Sequence, residues 1–510
     1  LTYLPHGVKN GADRENSSMH SNTLCTVGIS GLDDILKGGF PENRLYLLQG
    51  EPGTGKTTIS LQFLLEGVRK GESTLYITFS ETKDEIQAVA RSHGWDISKI
   101  NLLELSAIEE QLRPEAVNTV FRPAQVEMNQ TTQILFNEVD RVKPTRIVFD
   151  SVSEMRMLAE TPLRYRRQML SLKQFFSGRQ CTVLLLDDLT ASPTDLQVQS
   201  IVHGVLNLQK LHPNFGDERR RLNIVKLRGV NFIGGHHDYT IEVGGVKVFP
   251  RIAADRNGEF ERGRILSGIE GLDTLLGGGL DRGSSNLFMG PAGTGKSTLS
   301  IQYAYEAAKR GEHACIFAFE ESIHTLLART NALGMDIQKY MDNGLLMVQK
   351  IDPAQLSPGK FADLIRTAVK EKKTRVVVID SLNGYIHAMP EETYLTLQLH
   401  ELLAYLGGQG IVSILVLAQQ GLMGNMTTPI DLTYLADTVL VTRYYEAEAT
   451  IKKAVSVIKK RGGAHETTIR DLKLSSNGVE VGEPLVEYRG ILTGIPMFSA
   501  EGDKKLRMKA

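Results

Sequence analysis

The chain has little cysteine, 3 residues in 510, at Cys25, Cys181 and Cys315. They lie too far apart for the paired spacings of a zinc or redox site, and their scarcity excludes a small disulfide-stapled scaffold. A reducing, cytoplasmic setting is expected. No run of about 18 apolar residues occurs, so no membrane span is expected. Residues 1–22 are polar, lack the charged start and apolar stretch of an export leader, and are read as a flexible tail. Neither sign of charge is in excess: Lys and Arg total 58, Asp and Glu 59, for a formal net charge of −1. A dedicated nucleic-acid binder needs a cationic surface over phosphates, so this balance argues against that class. Proline is sparse at 17 residues; with 41% hydrophobic and 23% charged residues, a disordered or fibrous chain is excluded.

What the chain does have is a repeat. Gly28-Ile29-x-Gly31-Leu32-Asp33 returns as Gly268-Ile269-x-Gly271-Leu272-Asp273, and Gly268, Lys296 and Glu321 follow Gly28, Lys56 and Glu81 by the same 240 residues. A register that holds so far marks a duplication. The expected layout is a tail at 1–22, a first domain at 23–250, a linker at 251–263, a second domain at 264–497 and a tail at 498–510. In each half, short apolar runs alternate with helical patterns, the mark of an α/β fold with mostly parallel sheets flanked by helices. The expected strands are Arg44–Gln49, Thr74–Phe79, Arg146–Phe149 and Thr182–Leu186, then Ser285–Met289, Ala314–Phe319, Arg375–Ile379 and Ser413–Ala418.

Each half also carries a phosphate-binding loop between a strand and a helix. In Gly50-Glu51-Pro52-Gly53-Thr54-Gly55-Lys56-Thr57 the glycines let backbone N–H groups turn inward around phosphate oxygens, Lys56 faces the outer phosphates, and Thr57 can hold Mg²⁺. Gly290, Gly293, Thr294, Gly295, Lys296 and Ser297 repeat the arrangement. Thr58 and Thr298 continue the two loops into their helices, whose N-termini favour anions. ATP is expected rather than GTP, because no Asn/Thr-Lys-x-Asp segment is present. Asp150 and Asp380 close two central strands, where a carboxylate either holds Mg²⁺ beside the loop or caps the next turn. Ser80-Glu81 and Glu320-Glu321 follow the second strands; an acid there activates water or is merely solvated.

Together these residues resemble the KaiC family, the bacterial circadian-clock ATPases among the RecA-like NTPases. The resemblance runs from Thr26 to Pro496. It rests on the duplicated openings, both loops, Glu320-Glu321, and the segments Lys226-Leu227-Arg228-Gly229 and Lys459-Lys460-Arg461-Gly462. It implies a homohexameric double ring with Mg-ATP at subunit interfaces, a slow ATPase in the first domain and an autokinase in the second. Lys226, Arg228, Lys459 and Arg461 would then reach the neighbouring subunit's phosphates, as trans-acting cations do; by themselves they read as solvated surface charge.

Ser80 stands where the family has a first glutamate, so one water-activating carboxylate is missing from the first half. The family's Ser-Thr acceptors fall on Thr433 and Tyr434. Thr433 offers the same hydroxyl chemistry, whereas the tyrosine oxygen lies farther from its backbone. The longer C-terminal segment that receives KaiA is not matched, so no KaiA-like partner is expected. Residues 108–125 differ from the KaiB-docking segment, which leaves a KaiB-like partner open. Two other classes remain: a RecA- or helicase-like ATPase stimulated by DNA, and a scaffold whose assembly is gated by nucleotide.

Overall fold

A computed structural model describes residues 23–105, 123–159, 161–189, 197–212, 216–252, 260–387, 395–421, 428, 431–492 and 497–498. The expected tail at 1–22, residues 499–510 of the expected tail at 498–510, residues 253–259 of the linker and residues 108–122 of the differing segment lie outside the described residues. The chain divides into two compact units, and two nine-stranded sheets form.

The first sheet uses β1 (Leu45–Gly50), β2 (Thr74–Thr78), β3 (Asn101–Glu104), β4 (Arg146–Asp150), β5 (Thr182–Asp187), β6 (Gly204–Leu211), β7 (Arg219–Leu227), β8 (His236–Glu242) and β9 (Gly245–Phe249). Their order across the sheet is β3-β2-β4-β5-β1-β6-β7-β8-β9. The second uses β10 (Ser285–Gly290), β11 (Ala314–Ala318), β12 (Leu346–Lys350), β13 (Val376–Asp380), β14 (Val412–Ala418), β15 (Thr438–Ala447), β16 (Thr450–Lys460), β17 (Ile469–Ser475) and β18 (Gly478–Pro484). Its order is β12-β11-β13-β14-β10-β15-β16-β17-β18, the same path with every strand replaced by its counterpart. This is the RecA-like α/β architecture, present twice.

The central strands pair in parallel: β2 with β4, β4 with β5, and β5 with β1, matched by β11 with β13, β13 with β14, and β14 with β10. Helices cover both faces of such sheets, so the strands bury both sets of side chains. Leu47, Leu48, Ile77 and Phe149 are fully buried, as are Leu287, Phe288, Ile316 and Val378. At about 1.5–3 kcal/mol for each fully buried large apolar side chain, these strands carry much of the core's stabilisation. Beyond the parallel strands, β15 to β18 continue as an antiparallel meander. The arrangement puts the C-terminal ends of β1, β4 and β5, and of β10, β13 and β14, side by side. In open α/β sheets those ends line the ligand crevice.

Candidate functional site: two phosphate loops

Each loop leaves its strand at a glycine and enters a helix at a lysine. The helices are Lys56–Arg69 and Lys296–Lys309, and the residue before each, Gly55 or Gly295, has φ of 88° or 102°. A side chain would be strained there, which accounts for glycine at both places. The fifth loop residue pins the turn: Thr54 donates to the Glu51 carbonyl at 2.7 Å, and Thr294 to that of Pro291 at 2.8 Å. The lysines fold back over their loops. Lys56 Nζ donates to the carbonyls of Gly50 at 2.8 Å and Glu51 at 3.2 Å, and Lys296 Nζ to that of Pro291 at 2.6 Å. Burial lowers the Lys296 ammonium pKa to about 8, against the opposing fields of Asp380 and Glu320. Thr58 and Thr298 are buried in the first helical turn.

The strand-end aspartates reach these loops. Thr57 Oγ1 donates to Asp150 Oδ2 at 3.5 Å, and Tyr76 OH donates to the same oxygen at 2.5 Å. Burial raises the carboxyl pKa of Asp150 and of Asp380, while the Ser297 hydroxyl bonded to Asp380 opposes the rise. A buried carboxylate without counter-charge is costly, so each pair is suited to a cation. A hydroxyl and a carboxylate oxygen are hard donors of the kind Mg²⁺ takes while completing its shell with water and phosphate. Among the described residues no group of three or more His, Cys, Asp or Glu could hold a metal, so all-protein coordination is not available there.

The two sites differ after the second strand. In the second, Ser381 Oγ donates to Glu320 Oε1 at 2.6 Å. Glu321 is instead gripped by two nitrogens of Arg329, at 3.0 and 2.7 Å, and the third guanidinium nitrogen bonds Thr298 Oγ1 at 2.9 Å. Lys296, Ser297, Glu320, Glu321, Arg329 and Asp380 line one open cavity of about 600 Å³, a size suited to a small-molecule ligand. In the first site, the position of Arg329 holds Val89 and that of Glu320 holds the exposed Ser80. Glu81 keeps a buried carboxylate oxygen without a hydrogen-bond partner. Burial first, then the charges of Asp150, Glu85 and Asp188, push its carboxyl up to about 7.

The Arg329 contacts lead to a test. In a chain whose first loop is disabled by Lys56→Ala, Arg329→Met is expected to raise the KM for ATP about tenfold with little change in kcat, because Glu321 then repels the phosphates. Adding Glu321→Gln should restore it. Steady-state ADP release measures both, and a KM that stays unchanged, or that Glu321→Gln fails to restore, would show that the pairing plays no part in nucleotide binding.

The four cations of the Lys-x-Arg segments bond main-chain oxygens of their own chain. Lys226 donates to the Gln199 carbonyl, and Arg228 to that of Ser200 at 3.3 Å. Lys459 donates to the carbonyls of Thr433 at 2.9 Å and Ala436 at 2.8 Å, while Arg461 bonds that of Tyr434 at 3.0 Å and Asp437 Oδ1 at 3.3 Å. The cations thus grip matching short segments in the two halves, and in the second half that segment holds both acceptor candidates. Thr433 Oγ1 donates to Asp431 Oδ1 at 2.7 Å; Tyr434 is 55% exposed.

Reading the sequence missed Arg329 and Asp188. Asp188 Oδ1 lies 2.8 Å from Lys56 Nζ, one residue past the end of β5. A signal existed in both cases: each breaks the repeat, Val89 answering Arg329 and an apolar strand end answering Asp187-Asp188.

Fold and site together define a duplicated P-loop ATPase of the RecA-like class. The model of the KaiC ATPase family matches residues 25–253 and again 265–486, and the chain belongs to that family. It is 27% identical to the circadian clock oscillator protein KaiC of Synechococcus elongatus, over 94% of this chain and 93% of that one. It is 28% identical to the circadian clock oscillator protein KaiC 1 of Synechocystis sp., over 92% and 91%. To the KaiC of Thermostichus vulcanus it is 26% identical, over 97% and 95%. Among the described residues no helix is long and apolar enough to cross a membrane.

Proposed function

We propose that this KaiC-family ATPase is also an autokinase, assembled as a homohexamer with Mg-ATP at subunit interfaces and acting in circadian timing or stress signalling. The observation that carries the reading is the division of labour in the second site. Glu321 is tied to Arg329, while Glu320 is held by Ser381 beside Lys296 and Asp380. That leaves Glu320 to act as base. The hydroxyl oxygen of Thr433 on the adjacent subunit attacks the γ-phosphorus, its proton passes to Glu320, and the bond to the bridging oxygen breaks to release ADP. Tyr434 is a second acceptor candidate.

Thr57 with Asp150, and Ser297 with Asp380, would hold Mg²⁺, which when bound neutralises charge on the β- and γ-phosphate oxygens. In the ring, Lys226, Arg228, Lys459 and Arg461 would exchange their carbonyl partners for a neighbour's phosphates. The first loop would support assembly with slower hydrolysis, using Lys56 and Glu81 without the acid that Ser80 replaces. A KaiB-like protein is a candidate partner; KaiA-like control is not part of the proposal.

Incubating the purified protein with Mg-ATP tests the reading. ADP release and a mass near six chains are expected for the wild type, and both should be lost in the Lys56→Ala, Lys296→Ala double variant. Undiminished turnover in the double variant would overturn it.

A further inference from the structure

The first site lacks the carboxylate that Ser80 replaces, yet the partner serine of that carboxylate is still there. Ser381, directly after Asp380, donates to Glu320 Oε1 at 2.6 Å. Its counterpart Ser151, directly after Asp150, donates to Asp188 Oδ2 at 3.3 Å. Strand register makes the exchange reciprocal. Gln49 pairs with Asp187 in the first sheet as Met289 pairs with Leu417 in the second, so the residue answering Asp188 is Ala418. The first site therefore has Ser80 and Asp188 where the second has Glu320 and Ala418. A carboxylate has moved from the end of one strand to the end of another while remaining on the same serine.

From this we infer that Asp188 holds and activates the attacking water of the first site, serving as base there as Glu320 does toward the attacking hydroxyl at the second loop. The inference rests on the reading of the first loop as an ATPase, and it assigns to Asp188 the water that Glu81 alone was expected to activate. The carboxylate is well placed: β5 lies between β4, which ends in Asp150, and β1, which leads into the phosphate loop. Its backbone is pinned, because the Asp188 N–H donates to Ser153 Oγ at 3.0 Å and Ser153 in turn donates to Asp187, which Arg156 pairs at 2.7 Å. One oxygen, Oδ1, meets Lys56; the other, Oδ2, meets Ser151. When ATP phosphates take over Lys56, Oδ1 is released beside the γ-phosphate. The water oxygen then bonds to the γ-phosphorus as the bond to the bridging oxygen breaks. ADP leaves with that electron pair, and the water proton passes to Asp188 and on to solvent, giving ADP, inorganic phosphate and one proton.

The competing role is that of a counterion that merely occupies Lys56 until ATP arrives. The two are separated by the kinetics of the full chain carrying Lys296→Ala, which leaves the first loop as the source of turnover. Asp188→Asn, close in shape to the original, is expected to lower kcat about 100-fold with KM for ATP within about threefold. Adding Ser80→Glu, which returns an acid to the family position, should recover at least about tenfold of that loss. A lower KM with equal or higher kcat in Asp188→Asn identifies a counterion and overturns the inference, as does a loss that Ser80→Glu fails to reduce. Binding of a fluorescent ATP analogue to Asp188→Asn at wild-type affinity excludes misfolding as the cause of a loss. Turnover that survives Lys56→Ala in this background instead overturns the reading of the first loop as an ATPase, and the inference with it.

Discussion

Glu320→Gln, in a chain whose first loop is silenced by Lys56→Ala, is expected to lower the remaining ATP turnover and self-phosphorylation together by about 10²–10⁴-fold, the usual worth of a placed general base. The amide can still accept the hydrogen bond from Ser381, so the loop should keep its shape and nucleotide affinity should change little. Glu321 cannot step in, because both of its oxygens are occupied by Arg329. The same substitution at Glu321 should therefore cost far less. Single-turnover phosphate release and labelling from radioactive ATP read the two variants. Equal losses in both would reject the assignment of the base to Glu320.

Thr433→Ala is expected to remove the principal phosphosite altogether. Asp431 holds the hydroxyl that the substitution removes, while Lys459 and Arg461 fix the backbone of the segment through carbonyl contacts that the substitution leaves alone. ATP turnover by the unassembled chain should be unaffected, since Thr433 serves as acceptor and not as part of the phosphate loop. Peptide mass spectrometry after incubation with Mg-ATP settles the point. Phosphate at an undiminished level on Thr433→Ala would refute the acceptor, and phosphate confined to Tyr434 would move the role by one residue.

The strands that support both sites were readable because they are covered on both faces. The expected strands Arg146–Phe149 and Thr182–Leu186 contain unbroken apolar runs at residues 147–149 and 183–186, and the structure extends each strand by one residue, onto Asp150 and Asp187. The outer strands gave no such signal. β7 begins with three partly exposed arginines, and in β16 Lys452 and Lys453 stand between the exposed Ile451 and the buried Ala454, because these parts of the strands are not covered on both faces. A half-exposed strand of this kind alternates weakly and leaves no clear mark in the sequence. The edge strand β3, nowhere fully buried, escaped for the same reason.

The chemistry divides along a similar line. The loop glycines, Lys56, Lys296, Thr57 and Ser297 follow from local sequence, because a phosphate cradle is built by consecutive backbone groups and the first turn of one helix. Asp150 and Asp380 follow from position, at the ends of apolar strands. Sequence alone therefore determined that this is a twice-repeated α/β chain of a nucleotide-binding family, with a phosphate-loop pattern in each half. Tertiary structure decided which partner each acid has. Arg329 comes from the helix Ile323–Ala332 to neutralise Glu321, and Asp188 comes from just past β5 to Ser151, the counterpart of the serine that Glu320 engages in the other half. Whether a carboxylate is a base or half of an ion pair depends on what stands within about 4 Å of it. In this chain those neighbours arrive from other strands and helices, so only the folded sheet brings them together.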